Sequence, residues 1–112
     1  MNTRFVALTA GPVKPSTILH TAYLAKLCST PLVCSGDITR GADVLEAIMA
    51  GAAAVQICKA VYRDIGAGAR ILAEIREAME RCGYAEVEPL KGRALGHLPE
   101  PPLFTVPGAK FA

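Results

Sequence analysis

Two short loops carry the residue types best suited to handling an anion. In "CSGDITRG", Gly36 and Asp37 directly follow an apolar run, and in "CKAVYRDIG", Cys58 and Lys59 belong to a second one. A glycine there lets the backbone turn tightly and present N–H groups, and a lysine adds a movable positive charge. In parallel α/β folds, ligands sit where a strand's C-terminal end turns into a helix with free backbone N–H groups. Both loops could reach one phosphate if their strands are neighbours. By spacing alone the pattern also fits two plain turns, the commoner use of a glycine after a strand.

Other chemistries find less support. Cys28, Cys34, Cys58 and Cys82 lack the paired spacing of a zinc or iron–sulfur motif, so no metal site is expected and the thiols read as small apolar residues. His20 and His97 are far apart and have no local partner motif. A net charge of +2, mixed in sign along the chain, argues against nucleic acid or an anionic membrane as the partner. No apolar run approaches the roughly 18 residues that span a bilayer. The N-terminal stretch lacks the long apolar centre of a secretion signal, so the expected location is the cytoplasm.

The elements that would position these loops follow from periodicity. Gly11, Pro12 and Pro15 mark a loop entering a helix from Ser16 to about Cys28, with Ile18, Leu19, Ala22, Leu24, Ala25 and Leu27 as its apolar residues. "PLVCS" reads as a strand buried on both faces. Thr39 is expected to cap the next helix, with Asp43 in its first turn, an apolar stripe of Val44, Leu45, Ile48 and Met49, and Gly51 as its stop. "AAVQICKAV" reads as a second buried strand. A strongly amphipathic helix follows, with Ile71, Leu72, Ile75, Ala78 and Met79 inward and Arg70, Glu74, Arg76, Glu77, Glu80 and Arg81 outward, ending at Gly83. "YAEVEPLKG" suits one helical turn, and "HLPEPPLFTVPG" holds too many prolines for a helix or central strand. The order helix, strand, helix, strand, helix calls for an α/β fold with parallel neighbouring strands. At 52% apolar residues, the chain has some apolar surface to spare for a partner.

The runs "LTAGPVKP", "TPLVCSGDITRGADVLEAIMAGAAAVQICKAVYRD" and "GYAEVEPLKGRAL" together resemble the C-terminal end of the FMN-dependent dihydroorotate dehydrogenase and dihydropyrimidine dehydrogenase family. Cys58 and "LKGRAL" lean toward the dihydropyrimidine branch. The resemblance covers about Leu8 to Leu95. It implies part of a (β/α)8 TIM barrel, its seventh and eighth strands with a preceding helix, over residues 1–95, and a Pro-rich tail over 96–112. It also implies FMN as cofactor, its phosphate held mainly by backbone amides at Gly36, Asp37, Cys58 and Lys59, with Ala10 and Gly11 near the flavin chain.

Several departures temper these expectations. Asp37 stands where the family typically has the second of two glycines, Cys58 and Lys59 stand for a small pair, and Ala10 replaces a glycine. Lys59 is expected to pair with Asp37 or to contact the phosphate. The family's general base, flavin-contacting lysine and pyrimidine-holding asparagines come from earlier segments, so no catalytic residue is assigned here. Flavin-dependent CH–CH oxidoreductase activity is expected only if another chain completes the barrel, and FMN binding by the chain alone should be weak or absent. The alternatives are a non-catalytic, degenerate barrel fragment acting as an assembly module, and self-association in which copies supply each other's missing strands.

Overall fold

The computed structural model describes residues 13–99. Helix α1 (Lys14–Leu27) leads to strand β1 (Val33–Ser35), helix α2 (Gly41–Met49), strand β2 (Ala54–Gln56), a short helix α3 (Lys59–Arg63) and helix α4 (Ala67–Cys82). Two 3-10 turns, Glu88–Leu90 and Leu95–His97, follow. Pro15 sits in the first turn of α1 as expected, because its missing N–H costs nothing there. At the end of α4, Gly83 takes a left-handed φ of 76°, and the Tyr84 N–H donates back to the Met79 carbonyl at 2.9 Å. No helix among the described residues is long and apolar enough to cross a membrane.

Strands β1 and β2 lie side by side and parallel, with Val33 opposite Ala54, Cys34 opposite Val55 and Ser35 opposite Gln56. One face carries the core: Cys34, Ile38, Val44, Ala47 and Ile48 of the first half pack with Ile71, Met79 and Leu90 of the second. The Thr21 hydroxyl of α1 donates to the Cys34 sulfur at 3.4 Å, joining helix to strand. Helices α2 and α4 cross so closely at Gly41 that a Cβ there would lie 2.7 Å from Glu74 Cβ and 2.8 Å from the Ile75 nitrogen.

Four expectations need correction. The strands are not buried on both faces: Val33 is 65% exposed, and Ser35, Ala54 and Gln56 are open with it. Helices cover one face only, and the described residues hold no second layer of strands to cover the other. The second strand stops at Gln56, because its partner ends at Ser35 and no ladder remains, so the chain curls from Cys58 into α3. Apolar residues expected to pack are also exposed, Leu19, Leu24 and Leu27 on α1 and Leu72 on α4, where no further helix or strand of the described residues covers those flanks. Arg40, not Thr39, takes the N-cap position of α2. The expected tail begins within the last turn, and residues 100–112 lie outside the described residues.

Candidate functional site

The C-terminal ends of β1 and β2 open into one cleft of about 480 Å³, lined by Val13, Ser35, Gly36, Asp37, Ile38, Gln56, Cys58 and Lys59. Four expected site residues, Gly36, Asp37, Cys58 and Lys59, therefore meet there. Ala10 and Gly11 lie outside the described residues. Gly36 has φ 138°, and a Cβ on it would stand 2.6 Å from the Thr17 hydroxyl of α1. Only glycine fits that turn. Asp37 follows with φ 53°, a left-handed conformation that aspartate tolerates better than most residues. Ile38 then drops into the core, 3% exposed, and anchors the loop.

Donors suited to an anion collect at this cleft. The main-chain N–H groups of Asp37 and Lys59 meet no backbone carbonyl among the described residues, and Lys59 brings a cation. Successive amides around a left-handed turn form an anion-binding concavity. These features fit a phosphate, and the Asp37 carboxylate in the same cleft works against one. Of the two expected roles of Lys59, pairing with Asp37 is not found, since their charged atoms stay more than 4.0 Å apart. An exposed pair gains at most about 1 kcal/mol, so little compels the contact.

A part-buried ion pair behind the loop leaves little trace in the sequence. Asp43, 2% exposed, accepts a hydrogen bond from Lys14 Nζ at 2.5 Å on Oδ1. Its Oδ2 accepts from the Thr39 N–H at 3.0 Å, the Thr39 hydroxyl at 3.1 Å and the Arg40 N–H at 3.0 Å. Burial pushes the Asp43 carboxyl up, but Lys14 and the Thr39 and Arg40 amides outweigh it and hold it below its ordinary value. Lys14 is raised, chiefly by its bond to Asp43 and, against some burial, by Glu46 at 3.1 Å. The only sequence signal was the place of Asp43 one turn before Ala47, on a face that is otherwise apolar.

Helix α4 holds the far end of the same loop. Glu74 accepts from the Gly41 N–H at 2.6 Å, and Arg70 bonds Glu74 at 2.7 Å and the Thr39 carbonyl at 3.2 Å. The Gly41 amide, then Arg70, hold the Glu74 carboxyl below its ordinary value. Glu74 thus does more than solvate an outer face.

The cysteines divide differently from expectation: Cys34 is buried, whereas Cys58 and Cys82 are exposed. Each of the exposed two sits at a helix boundary, one just before α3 and one ending α4. No cluster of three or more metal-ligating side chains occurs among the described residues.

The dihydroorotate dehydrogenase family model matches residues 3–79. The chain belongs to the dihydroorotate dehydrogenase family. It is 37% identical over 84 residues to the catalytic subunit of dihydroorotate dehydrogenase B (NAD(+)) from Geobacter sulfurreducens, covering 74% of this chain and 28% of that protein. The same subunit from Methanosarcina mazei is 32% identical over 94 residues, 84% of this chain and 30% of its own length. Ligand-free DHODH from Eimeria tenella superposes with a TM-score of 0.72 at 26% identity, covering 81% of this chain and 25% of that one. The chain spans less than a third of the relatives it matches. Its open parallel sheet with flanking helices is accordingly a partial, barrel-like α/β fold of this family.

Proposed function

We propose that this chain supplies the phosphate-side loops of an FMN-dependent oxidoreductase of the dihydroorotate or dihydropyrimidine dehydrogenase type, as its C-terminal part or as a small subunit. Strands β1 and β2 serve as the seventh and eighth of a (β/α)8 barrel within residues 1–95, residues 96–112 form a tail, and another cytoplasmic chain provides the remaining strands. The cleft at the strand ends carries this proposal, because Gly36, Lys59 and main-chain amides that meet no carbonyl among the described residues converge there. Amides at Gly36, Asp37, Cys58 and Lys59 would hold the FMN phosphate, with Ala10 and Gly11 near the flavin chain. Bound FMN supplies the redox chemistry, while this chain's part is to bind and orient the phosphate. The uncovered sheet face around Val33 and Gln56 supports a need for that other chain, since a closed barrel fills its interior with side chains.

One observation favours a second role. The Asp37 carboxylate repels a dianion, as suits a barrel fragment that no longer binds FMN and works as an assembly module, alone or with further copies of itself. Titration of FMN fluorescence with the unaltered chain, Asp37→Gly and Lys59→Ala separates the two. The cofactor role expects weak binding by the unaltered chain, a gain on Asp37→Gly and a loss on Lys59→Ala. No binding even by Asp37→Gly would leave the assembly role in its place.

A further inference from the structure

Lys14 and Asp43 stand outside the cleft wall yet connect the segments that build it. Lys14 adjoins Val13, which lines the cleft, and its ammonium reaches Asp43 Oδ1 at 2.5 Å. The other oxygen of Asp43 takes three donors from Thr39 and Arg40, at the end of the loop that begins with Gly36. Two more charges face the pair: Glu46 Oε2 is 3.1 Å from Lys14 Nζ, and the Arg40 guanidinium is 3.8 Å from Asp43 Oδ1. Helix α1 touches the loop a second time where Thr17 abuts Gly36. The left-handed pair Gly36–Asp37 thus sits between one contact with α1 and the buried carboxylate.

A pair that served only to hold helices together could be exchanged for two apolar side chains of similar volume at little cost. Asp43 differs, because its second oxygen is committed to loop amides that no apolar side chain can engage. We infer that the Lys14–Asp43 pair sets the conformation of loop 36–40 and so directs its amides toward the cleft, which makes both positioning residues for the anion bound there. The loop-setting part stands on the contacts alone, and the anion rests on the proposed phosphate role.

The test uses full-length protein in the Asp37→Gly background, where FMN binding should be measurable, and compares that parent with Lys14→Met/Asp43→Leu. Three quantities are read: the urea midpoint, hydrogen exchange of a peptide covering residues 36–41, and FMN affinity by fluorescence quenching. The double variant should lose part of its midpoint, because the Thr39 and Arg40 donors lose their acceptor, while the peptide over residues 36–41 exchanges about tenfold faster, more than peptides elsewhere, and FMN affinity falls about fivefold or more. Recovery of midpoint, exchange and affinity together would reduce the pair to a structural tie and overturn the inference. If the parent itself fails to bind FMN, the proposed cofactor role falls, and loop exchange alone decides the inference. Should the double variant not fold, Lys14→Arg decides, since it keeps the charge but not the compact head. Faster loop exchange at an unchanged midpoint supports the inference, and unchanged exchange overturns it.

Discussion

Replacing Gly41 with alanine probes the crossing of α2 and α4 that fixes the end of the candidate loop. The added methyl would stand 2.7 Å from Glu74 Cβ, 2.8 Å from the Ile75 nitrogen and 3.0 Å from the Glu74 carbonyl carbon. Two of those three atoms are backbone, so relief requires the helices to part and the 2.6 Å bond from the Gly41 N–H to Glu74 to stretch. Alanine gains up to about 1 kcal/mol over glycine in a helix, whereas overpacking a tight contact costs about 1–3 kcal/mol. The net expectation is a loss of about 1–2 kcal/mol. Gly68, in the first turn of α4, supplies the control: a Cβ there meets nothing within 4 Å, so Gly68→Ala should stabilise by about 0.5–1 kcal/mol. The same chemical change thus carries opposite signs at two sites. Urea unfolding at one fixed protein concentration measures both, because association would otherwise move the midpoints. A Gly41→Ala midpoint at or above that of the unaltered chain would refute the packing argument.

Stability should depend on pH through the Lys14–Asp43 pair. Asp43 is held low, so its contribution is complete above the unfolded value of about 3.9 and fades as pH falls through the lower folded value. Lys14 is held high, so its contribution is complete below about 10.4 and fades only as pH rises through the higher folded value, leaving a flat range between. Urea midpoints from pH 2 to 11 check this, and Lys14→Met should shift the acid limb upward. With an open strand face and exposed Leu19, Leu24, Ile65 and Leu72, the purified chain should associate. Light scattering from a compact monomer across a wide concentration range would contradict that. The chain alone should not oxidise dihydroorotate or dihydropyrimidines even when supplied with FMN. Measured turnover would show that it carries its own proton-transfer group.

Much of the architecture can be read from local pattern. Apolar runs of strand length alternate with helical periodicities, which predicts the α–β–α–β–α order and the parallel pairing found between β1 and β2. Gly83 marks the end of α4 because a left-handed residue closes a helix wherever it lies in the fold. The cleft residues Gly36, Asp37, Cys58 and Lys59 are likewise legible, since parallel strands bring consecutive strand ends together. Misreadings arise where a neighbour decides. The strand proposed through Val61 ends at Gln56 because its partner ends, and Leu72 has helical phase yet stays 64% exposed.

The sequence by itself determined the helix–strand alternation as far as β2, the loop chemistry and the family, because each is encoded by residues close together in the chain or by short motifs. Tertiary structure alone decided that Asp43 is buried against Lys14, 29 residues away, and that Gly41 binds Glu74, 33 residues away. It also decided that Asp37 and Lys59 share a cleft without pairing, and that one sheet face stays open. The physical reason is that burial and charge pairing depend on how helices cross and which faces they cover, and periodicity within one element carries no record of its neighbour.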